Sequence, residues 1–179
     1  MHIEKTPFKD LIIIKPRIFK DPRGYFYESY NKEKLGDFVK DNFVQDNESC
    51  SQIGVLRGLH FQNPPYTQSK LIRVIKGAIL DVVVDIRKES ETFGKHLKIT
   101  LNEDNKHQLY VPKGFAHGFV CLENNTIINY KCSDFYKPES EVSLLWNDKT
   151  LNIDWLTSSP TLSKKDMQGL AFNNFESPF

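Results

Sequence analysis

Leu56-Arg57-Gly58-Leu59-His60-Phe61-Gln62 reads as a β-strand with a break in it. Arg57 and His60 stand three residues apart, so a regular strand would send their side chains to opposite faces. Gly58 between them relieves the conflict, because a glycine inside a strand often marks a bulge that re-aims its neighbours. Lys70 follows ten residues after the histidine. An imidazole beside two fixed cations suits proton abstraction from a carbon next to a carbonyl on an anionic substrate. Taken alone, the same histidine reads equally well as a half-buried residue on a sheet.

Outward from this strand the chain keeps giving strand signals. Leu11 to Ile14 is a short apolar run ending near Pro16, and it is hydrophobic on both faces, so it needs cover that a partner subunit could provide. Asp21-Pro22-Arg23-Gly24 is a turn, after which Tyr25 to Tyr30 resumes as strand. Asn31 is placed to cap a short helix with Leu35, Phe38, Val39 and Phe43 on one face. Beyond the first motif, Lys70 to Ile75 alternates, Lys76-Gly77 turns, and Ala78 to Arg87 runs through Val82-Val83-Val84. Asp81 and Asp85 share a face of that run, which predicts that at least its ends reach solvent. Leu97 to Leu101, Leu109 to Pro112, Phe115 to Leu122, Thr126 to Cys132 and Val142 to Trp146 complete the set, and a small helix is expected from Ser163. Short strands with frequent turns predict a mainly β sandwich or jelly-roll barrel with a few short helices, in one domain over residues 1–179.

Composition narrows the functional class. The 24 basic and 23 acidic residues give a net charge of +1, so nothing general points to a nucleic-acid partner and any anion site must be a local cluster. Cys50, Cys121 and Cys132 are odd in number and lack CxxC spacing, so they read as reduced thiols of a cytoplasmic protein. The charged N-terminus and the short Leu11–Ile14 run argue against a signal or membrane segment.

Four motifs together carry a resemblance: Leu56–Gln62, Val84-Asp85-Ile86-Arg87-Lys88, Pro112-Lys113-Gly114-Phe115-Ala116-His117-Gly118-Phe119 and Leu145-Trp146-Asn147-Asp148. In this order the chain resembles the dTDP-4-dehydrorhamnose 3,5-epimerases from Leu11 to about Leu170. The resemblance implies a cupin-type jelly roll, a homodimer, no metal and no organic cofactor, and a dTDP-linked 4-keto-6-deoxy sugar as substrate on the route to activated L-rhamnose. The residues bear on the metal themselves. Metal-binding cupins pair an HxH strand with a PxGxxH segment; Pro112-x-Gly114-x-x-His117 is present, but the first motif offers only His60-Phe61-Gln62, a thin ligand set.

The family reaction inverts two carbons flanking a ketone, which requires a base, an acid on the opposite side and a group to hold the enolate oxygen. By resemblance His60 is the base, Asp166 its orienter, Lys70 the cation near the ketone and Tyr130 the acid. By spacing alone Ser163-x-x-Asp166 is a capping box, Lys70 a surface lysine and Tyr130 a core tyrosine. The resemblance also implies substrate contacts from Arg23, Glu28, Gln45, Asn47, Arg57, His117, Glu141 and Lys165, with Tyr136 stacking on the thymine. Arg23 and Gln45–Asn47 read from sequence alone as turn residues. Two other readings stay open: an enzyme that epimerises only C3 or C5 of a related nucleotide sugar, and a non-catalytic sugar-binding cupin.

Overall fold

The computed structural model describes all 179 residues. Alternating apolar residues put thirteen short strands into two facing antiparallel sheets and one small hairpin. The larger sheet has the order β1 (His2–Lys5), β2 (Ile12–Lys15), β10 (Gln108–Val111), β7 (Lys70–Lys76), β12 (Thr126–Cys132) and β5 (Gln45–Ser51). The second runs β13 (Glu141–Ser143), β6 (Leu56–Gln62), β11 (Phe115–Cys121), β8 (Ala78–Asp85) and β9 (His96–Asn102). β3 (Phe19–Asp21) and β4 (Gly24–Phe26) pair only with each other. Neither sheet closes on itself, so the architecture is the sandwich form of the jelly roll.

Period-two alternation sorts the side chains into layers. Ile72, Val74, Ile79, Val83, Leu101, Leu109, Phe119 and Ile128 fill the space between the sheets. Leu59, Phe61, Val82, Val84 and Val120 face the other way, under a C-terminal segment that brings Trp155, Phe172, Phe175 and Phe179. A third cluster joins Ile12, Ile14, Leu71 and Tyr110 to Leu35 and Val39. The Leu11–Ile14 run is therefore covered on both faces by its own chain, and the partner expected to cover it is not needed there.

Two further expectations are corrected. The helix after Asn31 is a single turn, α1 (Lys32–Leu35), capped by the Asn31 side chain on the Lys34 amide. Leu35 and Val39 are buried as expected, but Phe38 is exposed. Gly36 follows at once, and its poor helix propensity ends a segment too short to propagate. β8 is buried along its whole length, including Asp81 and Asp85. Both carboxylates are kept from water by partners: Asp85 accepts hydrogen bonds from the Arg87 guanidinium, Ser90 and Thr92, and Asp81 from His117.

Candidate active site

The bulge expected at Gly58 is present. The β6–β11 register shifts between His117, opposite His60, and Phe119, opposite Arg57. Gly58 has φ +138°, and a Cβ there would lie 2.4 Å from the Gly118 Cα. The extra residue turns Arg57 and His60 toward the same cavity. That cavity, of about 270 Å³, is lined by His60, His117, Arg57 and Phe119 from one sheet and by Lys70, Tyr130 and Ser49 from the other. Ser163, Lys165 and Asp166 close its side.

Asp166 is delivered by a 3-10 turn (Asp166–Gln168) in the C-terminal segment. Two single bridges pin that segment, Val55 with Thr161 and Leu144 with Leu170, one on each side of the turn. The capping box forms: the Asp166 amide donates to Ser163 Oγ and the Ser163 amide donates to Asp166 Oδ2, both at 3.2 Å, and Ser163 Oγ also donates to Oδ2 at 2.5 Å. The other carboxylate oxygen, Oδ1, accepts from the Gly58 amide at 3.1 Å and lies 2.8 Å from His60 Nε2. Capping and orienting are thus done by opposite edges of one carboxylate. Burial by itself would push the pKa of Asp166 upward, but His60, the Ser163 hydroxyl and the Gly58 amide together hold it well below the usual carboxylate range. The His60 ring is turned so that Nε2 sits at ion-pair distance without a well-aligned hydrogen bond. With Nε2 directed at Asp166, Nδ1 is the nitrogen left to take a proton.

A second histidine–carboxylate pair stands beside the first. His117 Nε2 lies 3.0 Å from both oxygens of the buried Asp81. On the facing sheet Lys70 makes no ion pair, and burial pushes its ammonium below the usual lysine range. Burial likewise pushes the Tyr130 phenol upward, which keeps it protonated at neutral pH. Arg57 makes no ion pair either; its guanidinium donates to Ser51 Oγ at 3.1 and 3.3 Å. Two uncompensated cations in a concave wall favour an anion or a developing oxyanion.

Lys165 reaches out of the cavity to Glu141, which also accepts from the Tyr136 hydroxyl at 2.6 Å. Burial opposes ionisation of Glu141, but Lys165 and Tyr136 outweigh it and keep the carboxyl low; the same contact, with burial, pushes Tyr136 up to about 12. Gln45 accepts from the Tyr136 amide and donates to Asn47, so these polar residues form a continuous rim. Arg23 and Glu28 are not in this rim. Arg23 projects from the β3–β4 hairpin and pairs with Asp21, while Glu28 pairs with Lys34 and Asn31.

Ser49, Phe119, Ser163 and Asp81 are not among the site residues expected from the sequence. Ser49 continues the alternation Gln45, Asn47, and Phe119 follows His117 by two, so period-two reading could have found both. Asp81 carried its own signal, a carboxylate in a valine-rich strand that must find a partner. No three His, Cys, Asp or Glu side chains converge as a ligand set.

A sequence profile described as dTDP-4-dehydrorhamnose 3,5-epimerase matches residues 5–174. The dTDP-4-dehydrorhamnose 3,5-epimerase of Shigella flexneri is 47% identical over 174 residues, covering 96% of each chain. The crystal structure of the Legionella pneumophila dTDP-6-deoxy-D-glucose-3,5-epimerase, in complex with dTDP-4-keto-L-rhamnose, superposes with a TM-score of 0.93 at 45% identity, over 98% of this chain and 94% of that one. A 3'-monoepimerase from Streptomyces bikiniensis, in complex with dTDP-quinovose, reaches a TM-score of 0.89 at 29% identity, over 94% and 86%.

Proposed function

The chain belongs to the dTDP-4-dehydrorhamnose 3,5-epimerase family, and from that membership we propose how its residues divide the work. The enzyme converts dTDP-4-dehydro-6-deoxy-D-glucose to dTDP-4-dehydro-L-rhamnose in dTDP-L-rhamnose biosynthesis. His60 removes the proton from a carbon beside the C4 ketone. The C–H electron pair moves into the ring and onto the ketone oxygen, giving an enolate. Lys70 holds that oxygen, and the pair returns to carbon as Tyr130 delivers a proton from the other side. Asp166 stabilises the imidazolium formed in between. The observation that carries this reading is placement: the base comes from one sheet, and the acid and the cation from the sheet facing it. A planar intermediate between them can lose a proton to one wall and gain one from the other.

Arg57 and Lys165 take the phosphates, His117 the sugar, Tyr136 the thymine, and Gln45, Asn47 and Glu141 the polar edge of the nucleotide sugar. The reaction as written uses no metal or organic cofactor. Arg23 and Glu28 act on a second copy: the hairpin that bears Arg23 exposes Phe19, Tyr25 and Phe26 and has no sheet of its own to join. A homodimer gives these aromatics a surface to cover and the arginine a cavity to enter. Three free thiols accord with a cytoplasmic location, and no helix is long and apolar enough to cross a membrane.

Proton NMR of dTDP-4-keto-6-deoxyglucose in heavy water with chelator tests the assignment. Wild-type protein is expected to erase both the C3 and the C5 signals, and His60→Asn neither. Exchange at one carbon would make this chain a single-centre epimerase, and exchange by His60→Asn would remove His60 as the base.

A further inference from the structure

Three buried side-chain polar atoms in the whole molecule lack a hydrogen-bond partner: His60 Nε2, Ser69 Oγ and Ser143 Oγ. Orphans of this kind are rare in folded proteins and cluster where a site has work to do. Two of these three belong to residues paired directly across the sheet. Ser143 is the direct antiparallel partner of His60 across β13 and β6. The next pair along, Leu59 and Leu144, exchanges both backbone hydrogen bonds, at 2.9 and 3.4 Å. His60 and Ser143 therefore form the alternate, narrow kind of pair, in which Cα atoms approach to about 4.5 Å and side chains on one face touch. Val142 and Leu144 point to the outer core, so Ser143 points inward, as His60 does.

Ser143 Oγ is closed off from solvent, so it does not meet the substrate directly. The other inward group of β13, Glu141, is already held by Lys165 and Tyr136. What remains for the serine hydroxyl is the imidazole opposite. We propose that Ser143 is a positioning residue for His60: its hydroxyl shares the Nε2–H with Asp166 and fixes the ring plane and tautomer that leave Nδ1 as the base. The Ser143 side chain has a single rotatable bond, Cα–Cβ, with three staggered positions open to its hydroxyl oxygen. Asp166 holds the ring from one side only and off-line; the serine supplies the second restraint.

The inference rests on His60 being the base, and the test keeps the two apart. Ser143→Ala, Ser143→Thr and His60→Asn are compared by the rate of substrate deuteration across pH. Ser143→Ala should lower kcat about tenfold with KM nearly unchanged, the size seen when a group orienting a functional histidine is removed. Because an accepting oxygen favours the protonated ring, its loss should also move the acid limb of the pH profile to lower pH. The other charged or titratable groups around His60 are the same in both serine variants: Asp166 and Lys165 from the C-terminal turn, Glu141 on β13, Arg57 on its own strand, His117 with Asp81 behind it, and Lys70 and Tyr130 opposite. Ser143→Thr, which keeps the hydroxyl, should recover most of the rate. A wild-type rate and pH profile for Ser143→Ala overturns the inference, and so does a threonine variant as slow as the alanine one. If His60→Asn still exchanges, the base assignment falls; if only the serine results fail, that assignment stands.

Discussion

Asp166 shows at the scale of a residue how two readings of one motif can both hold. Ser163-x-x-Asp166 spells a capping box, and the cap forms with one oxygen. The other oxygen is left for Gly58 and His60, and nothing in the local spacing announces that, because Gly58 lies 108 residues away in sequence. The ionised carboxylate is favoured in the fold, so its unfolded value near 3.8 is the upper edge of a pH window. Its stabilisation is present in full above that value and is lost as pH falls through it toward the depressed folded value. Asp166→Asn should therefore cost about 2 kcal/mol at neutral pH, the scale of hydrogen bonds to a charged group. In urea titrations the gap between the variant and wild type should narrow steadily below about pH 4. A gap of constant width down to pH 3 would mean that the carboxylate is not held ionised by its neighbours.

At the scale of the element, the two central strands of the site meet at glycines. An added Cβ at Gly58 would meet the Gly118 backbone at 2.4 Å, and one at Gly118 would meet the Arg57 carbonyl at 2.8 Å. β6 and β11 approach this closely only because neither carries a side chain there, and the approach is what sets His60 against His117. Gly58→Ala meets both a backbone clash and a positive φ, so it should lose at least about 3 kcal/mol of stability in thermal melts. A melting temperature within a few degrees of wild type would show that the bulge can relax. This device was legible in the sequence, since Arg57, Gly58 and His60 cannot share a face otherwise. The strands were legible too, from their alternation. The helix after Asn31 was overread because apolar spacing says which residues are buried and not how long a helix runs; Leu35 is buried from a single turn that Gly36 ends, and Val39 from beyond it. β8 was misread at Asp81 and Asp85 because the partners of a buried carboxylate come from elsewhere, His117 on the neighbouring strand and the Ser90–Thr92 loop.

The whole molecule poses the question that a single chain leaves over. Eleven of the thirteen proposed site residues lie in or around one cavity, and Arg23 and Glu28 do not. Arg23 has a side chain 90% exposed, on a hairpin whose Phe19, Tyr25 and Phe26 also face outward. The hairpin is tethered to the body through Tyr25, whose hydroxyl accepts from Lys106 at 3.1 Å, and through Tyr27 of the following segment, whose hydroxyl accepts from Arg73 at 3.2 Å. It is thus a presented element and not a loose one. If it completes the cavity of a second copy, two defects on different chains must complement each other. Arg23→Ala dimers lack the arginine at both sites, and His60→Asn dimers lack the base at both. A mixed dimer has one site with both defects and one site with neither, so co-refolding the two weak variants should restore activity. With random pairing of equal amounts, half of the dimers are mixed and half of their sites are intact, which sets the recovery at about one quarter of the wild-type rate. Were Arg23 to serve its own chain, every site in the mixture would carry a defect and the rate would stay at the average of the two variants. A mixture that sediments as monomers would remove the dimer itself, and the exposed aromatics would need another partner.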